Sequence, residues 1–129
     1  MMNRISFKGV ALGCLIVIGI DVVFGISAIF IFPESFSQEG LKQEYSTNLL
    51  IFSLIFGTLA TIAGGYVAAR IAKTDFYINS SIIGVIGIIL GIFLNGNYPL
   101  WFNFLGFVTV LPAALLGGHF VYLQNKQTV

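Results

Sequence analysis

Apolar residues run through this chain in four long blocks, at 9–32, 48–71, 77–95 and 100–123, separated by short polar breaks. A helix needs about 20 predominantly apolar residues to cross a hydrocarbon core of ~30 Å, so each block predicts a transmembrane helix. Strands of a membrane barrel would alternate with a period of two in segments of about 10 residues, and no block does so. The first block is broken by a single charge, Asp21, and the second carries none before Arg70. The third opens on Asn79, Ser80 and Ser81, and the fourth holds only His119 as an ionisable cation. The expectation is an all-α integral membrane bundle of four transmembrane helices. It forms one domain over residues 1–129, with an outer segment at 33–47.

Composition agrees with the pattern. Hydrophobic residues make up 57% and charged residues 9% of 129, with a mean hydropathy of +0.98. A water-soluble domain carries about 25% charged residues, too many for this chain to match. Disorder is excluded by the apolar content, and a net charge of +1 gives no electrostatic footprint for nucleic acid. One cysteine cannot close an internal disulfide and one histidine cannot build a His/Cys metal cluster.

The cations set the orientation. Arg4 and Lys8 precede the first span, Arg70 and Lys73 follow the second, and Lys126 follows the fourth. On the other side Lys42 stands alone among Glu34, Glu39 and Glu44. Short loops rich in Lys and Arg stay in the cytoplasm, so both termini are expected there, as in a bacterial inner (plasma) membrane protein. Tyr45, Tyr98, Trp101 and Phe102 mark the outer boundary; Phe7, Tyr66, Phe76, Tyr77 and Tyr122 mark the inner one.

Three local patterns are set aside. The basic start and apolar run from Val10 to Ile20 resemble a signal peptide, but no small-x-small cleavage pair follows Asp21. Ala11-Leu12-Gly13-Cys14 suggests a lipoprotein signal, yet only five residues separate Lys8 from Cys14, too few for an apolar signal core. Asn79-Ser80-Ser81 matches a glycosylation sequon on the expected cytoplasmic side. In the outer segment, a short surface helix capped by Ser37 would turn Phe36 and Leu41 to lipid.

Small residues dominate potential helix contacts, which is how helices associate where lipid is as apolar as leucine. In the second span Ser53, Gly57, Thr61, Gly65 and Ala69 form one ridge, beside Ala60, Gly64 and Ala68. Ser80, Gly84, Gly87, Gly91 and Asn95 share a face of the third span. Gly106, Thr109, Ala113 and Gly117 do so in the fourth, with Gly118 alongside. A tight bundle that self-associates, or binds another membrane protein, follows from this pattern. Pro112 predicts a kink in the fourth helix. Residues 60–66 resemble 113–119 at an offset of 53, predicting a parallel repeat of two hairpins about the membrane normal.

Asp21 is the costly residue. Twelve positions into its span, it sits near the bilayer midplane, where insertion of Asp costs about 2.5–3.5 kcal/mol. At 100° per residue Cys14, Asp21, Gly25 and Ala28 share a narrow stripe, the one expected to face the bundle or an oligomer interface. Thr58, Thr61 and Thr109 lie at similar depth and are its candidate hydrogen-bond partners. Two readings stand: a tie between helices, or a proton- or cation-binding carboxylate in a transport path. Arg70 and Lys73 read as snorkelling cations that fix topology, with an anionic lipid headgroup as their alternative ligand. His119 reads as hydrogen-bonded packing near Tyr66 in depth.

Catalytic constellations are lacking. There is no Gly-x-Ser-x-Gly elbow, His-Glu-x-x-His, phosphate loop or second intramembrane aspartate, and nothing calls for a cofactor. Gly64-Gly65-Tyr66-Val67-Ala68-Ala69-Arg70 and Leu111-Pro112-Ala113-Ala114-Leu115-Leu116-Gly117-Gly118 resemble stretches of small bacterial four-span membrane proteins, a group that implies no activity. In layout the chain is also similar to small multidrug resistance transporters, which have four short helices and an essential acid in the first. Here that acid is Asp rather than Glu, the first outer loop is long, and the third span lacks the Trp and Tyr that line that family's pocket, having only Phe93. The leading expectation is a non-catalytic structural or partner-binding component. The alternative is a small proton- or cation-coupled transporter using Asp21.

Overall fold

A computed structural model describes residues 4–36, 46–94 and 98–128. Four long helices account for most of it: α1 (Phe7–Ile31), α3 (Thr47–Ala72), α4 (Phe76–Phe93) and α5 (Leu100–Gln127). A single helical turn, α2 (Pro33–Phe36), follows α1. All four long helices are long and apolar enough to cross a membrane, and there is no strand among the described residues. The chain is a multi-pass integral membrane protein. The expected surface helix around Ser37 and Leu41 lies outside the described residues, as does Asn95.

Local sequence explains the ends. Ser6 and Ser46 cap α1 and α3, their hydroxyls accepting from the amides of Gly9 at 3.1 Å and Leu49 at 3.2 Å. Between α3 and α4 only residues 73–75 intervene. Lys73 closes α3 in the left-handed region (φ 63°), and Asp75 opens α4 there too (φ 46°), so the chain reverses within one turn. The fourth helix runs four residues past the expected end at 123 and continues unbroken through Pro112. Gln124, Asn125, Lys126 and Gln127 are polar but accept helical dihedrals, so the helix outlasts the apolar block.

Within the bundle α3 is central. α1 and α5 each pack along it, α4 lies across α5 and α3, and α1 has a much smaller contact with α4. The first turn of α1 meets the last turns of α3, because a methyl on Gly9 would stand 2.7 Å from the Ala68 carbonyl oxygen. Tyr66 and Gln124 join the C-terminal ends of α3 and α5, so those two helices run parallel while α1 and α4 run against them. The described chain ends therefore lie at one end of the bundle. Arg4, Lys8, Arg70, Lys73 and Lys126 are all exposed there; this is called the basic end below.

The interior is built from small residues. Ala60, Ala68, Ala69, Ala113 and Ala114 are buried, and the largest wholly buried side chains are Asn79 and Ser80. Large apolar side chains such as Leu15, Phe30, Phe93 and Phe104 point outward. That arrangement suits a hydrocarbon solvent, where close backbone approach rather than apolar burial holds helices together. Gly65 meets the backbone of Ala114, Gly117 meets Ile62 and Tyr66, and Gly64 meets Val17, all too closely for a Cβ. Gly118 abuts Ser80 in the same way, and Gly84 packs on Leu111 and Ala114. Gly87 and Gly91 face Val110 and Phe107 across a looser 3.1–3.2 Å.

A candidate cation-binding groove at Asp21

Towards the opposite end α3 and α5 stand further apart. The contacts that bind α1 to α4 sit near the basic end, at Ser6 with Asn79 and Gly13 with Ile83. Beyond them Gly87 and Gly91 still hold α4 against α5, but the ridges of α3 and α5 no longer touch. A Cβ on Gly57 would meet nothing within 4 Å, and one on Gly106 only Leu54 at 4.0 Å. Within the described chain Gly57 thus packs against no other helix. Its missing side chain instead leaves room for a groove of about 590 Å³ lined by all four long helices.

That groove extends from Thr61, mid-helix in α3, to Leu94 and Phe102 near the far end. Asp21 and Ile18 contribute from α1; Ser53, Leu54, Gly57, Thr58 and Thr61 from α3. Leu90 and Gly91 come from α4, and Thr109 and Val110 from α5. The four residues singled out by sequence for this depth, Asp21, Thr58, Thr61 and Thr109, thus line one cavity. Their expected bonding does not form. The carboxyl group makes no hydrogen bond among the described residues. Each hydroxyl donates instead to its own helix: Thr58 to Leu54 at 2.7 Å, Thr61 to Gly57 at 2.8 Å, and Thr109 to Leu105 at 2.8 Å. Ser53 does the same to Leu49 at 2.8 Å. Back-bonding to the carbonyl four residues earlier satisfies a helical hydroxyl with no reach across the bundle. The stripe from Cys14 to Ala28 is likewise only partly engaged: Ala28 is buried, whereas a Cβ on Gly25 would meet nothing within 4 Å.

At the basic end a second polar cluster joins α3 to α5. The Arg70 guanidinium donates to the Tyr66 hydroxyl at 2.6 Å and to Gln124 Oε1 at 3.0 Å, with its carbon 5.7 Å from the Tyr66 ring centre. Tyr66 donates to the same Gln124 oxygen at 3.1 Å. Arg70 and Lys73 border a polar cleft of about 710 Å³ with Gln124, Asn125 and Thr128. His119 bonds through Nδ1 to the Tyr77 hydroxyl at 2.7 Å and stacks on Tyr122.

Two features escaped the sequence reading. Asn79 is fully buried; its amide donates to the carbonyls of Arg4 at 2.9 Å and Asp75 at 3.1 Å, and its Oδ1 accepts from Ser6 N at 2.7 Å. The available signal was an amide one turn inside an apolar helix, which must find partners when buried. A cluster of rings, Phe24 tilted on Phe52 at 5.5 Å and stacked on Phe56 at 5.4 Å, joins α1 to α3. No periodicity rule marks such a trio. The chain matches no known protein-family model, and neither a curated protein nor a solved structure is detectably similar to it.

Proposed function

We propose that this is a non-catalytic multi-pass protein of a bacterial inner membrane that binds a cation, and carries it, through Asp21. A single observation supports this over a helix-tying role: Asp21 has no hydrogen-bond partner among the described residues and borders a groove of about 590 Å³. An acid that merely joined helices would be bonded to them. An unpaired carboxyl beside a cavity is arranged to meet something that enters it. In this reading both termini are cytoplasmic, following the cations at the basic end, and α1–α3 and α4–α5 form a parallel repeat of two hairpins.

A second reading, a structural component that self-associates, draws on α1 itself. Only Gly9, Gly13 and Ala28 are buried along that helix, and Gly19 and Gly25 stay open for a second copy or another membrane protein. Liposomes holding the wild type or Asp21→Asn separate the two when proton or cation flux and oligomer size are measured together. Flux that disappears in Asp21→Asn while assembly is unchanged is the expected result. Assembly lost in that variant, with no flux in either protein, replaces transport by the structural reading.

A further inference from the structure

At the basic end, away from the groove, Arg70 has one edge of its guanidinium in use and one edge open. Nη1 donates to the Tyr66 hydroxyl at 2.6 Å and to Gln124 Oε1 at 3.0 Å, which occupies both of its hydrogens. Tyr66 donates to the same Gln124 oxygen and lies with its ring centre 5.7 Å from the guanidinium carbon, so the plane of the group is held in place. Nε and Nη2, the other edge, have no acceptor among the described residues. That edge matches the spacing of two oxygens on one phosphate. Gln124, its oxygen accepting twice, has only its side-chain N–H groups left to offer.

Arg70 and Lys73 border the same polar cleft. No carboxylate lines it, and neither cation has an ion pair among the described residues. The helices α3 and α5 both end beside it; their dipoles add about half a negative charge each, which two full positive charges exceed. Depth indicates the source of a ligand. Arg70 stands one turn, about 6 Å, beyond Tyr66 on α3, and the tyrosines at this end belong to the level where aromatic rings meet lipid headgroups. We infer that this cleft binds a phosphate group through the Nε/Nη2 edge of Arg70 and the ammonium of Lys73, the phosphodiester of an anionic phospholipid being the source that its depth favours. A soluble phosphate offers the same oxygens and is distinguished by the test. The site is independent of Asp21, so either can fail without the other.

Native mass spectrometry of the purified full chain in detergent, titrated with dioleoylphosphatidylglycerol, tests this away from any charged bilayer surface. Dioleoylglycerol, which lacks the phosphate, and inorganic phosphate serve as comparison probes. Phosphatidylglycerol should bind, and binding should fall about tenfold in Arg70→Gln. It should fall also in Arg70→Lys, which keeps the charge and loses the fork. Lys8→Gln removes a cation at the same end that does not line the cleft, so binding should stay within about twofold of wild type. Should Arg70→Gln lower the melting temperature, Lys73→Gln decides, because the Lys73 side chain makes no hydrogen bond among the described residues; unchanged binding there overturns the inference. Equal binding of dioleoylglycerol, or an equal loss in Lys8→Gln and Arg70→Gln, overturns it too. Displacement of the lipid by millimolar inorganic phosphate, with phosphate alone bound in an Arg70-dependent way, upholds the phosphate site and assigns it a soluble source.

Discussion

Asn79 Oδ1 accepts the backbone N–H of Ser6 at 2.7 Å, fastening the start of α1 to the first turn of α4 across 73 residues of sequence. Ser6 in turn caps α1 through Gly9 N. One buried amide thus fixes where α1 begins and holds it against α4 at the basic end. Asn79→Ala would strand the Ser6 N–H and the Arg4 carbonyl, at a cost of about 2–3 kcal/mol. Thermal unfolding in detergent should show a clear drop, whereas Ser81→Ala, whose hydroxyl bonds only its own helix at Ile78, should leave stability nearly unchanged.

Glycines of one ridge should separate into two classes. Gly65→Leu drives a side chain into the Ala114 backbone and should destabilise the bundle by at least ~1–3 kcal/mol. Gly57→Leu, eight residues earlier, meets open space and should be tolerated. Equal losses in thermal stability would contradict the division of α3 into a packed half and a groove-lining half.

The turn at 73–75 offers a stabilising change. Lys73 holds φ 63° without being glycine, a conformation that costs a side-chain-bearing residue about 1–2 kcal/mol. Lys73→Gly should raise unfolding stability by up to about 1 kcal/mol after glycine's own entropic cost, while Lys73→Ala should give no such gain. Denaturation of the two variants side by side checks this.

How much of this was legible follows from what each feature depends on. The four helices were legible because a long apolar run with few charges leaves little else for a membrane chain to do. Gly64, Gly65, Gly117 and Gly118 were legible as packing residues because small-residue spacing is a local pattern. The groove was not: Gly57 carries the same local signal as Gly65, and only the wider spacing of α3 from α5 at its level distinguishes them. For the same reason Asp21, Thr58, Thr61 and Thr109 could be placed at one depth from sequence, but not their bonding. A helical hydroxyl has a partner four residues back whatever the fold does, and that local bond wins here.

Topology gives a further expected outcome. In a Cys14→Ser background, single cysteines at Arg4 and Lys126 should react with an impermeant thiol reagent from the same face of the membrane, and a cysteine at Glu34 from the other. Reaction of the first two from opposite faces would break the four-crossing arrangement.

The account turns on the groove at Asp21 admitting a solute, and cysteine accessibility reads that directly. Asp21→Cys and Gly57→Cys, each in the Cys14→Ser background, should react with a small cationic methanethiosulfonate in reconstituted protein. Val23→Cys, on the apolar α1 face beside Phe24 and Phe52, should not. Protection of all three positions alike, with a cysteine at Glu34 still reactive, would mean that the groove is closed to solutes and would contradict the central claim.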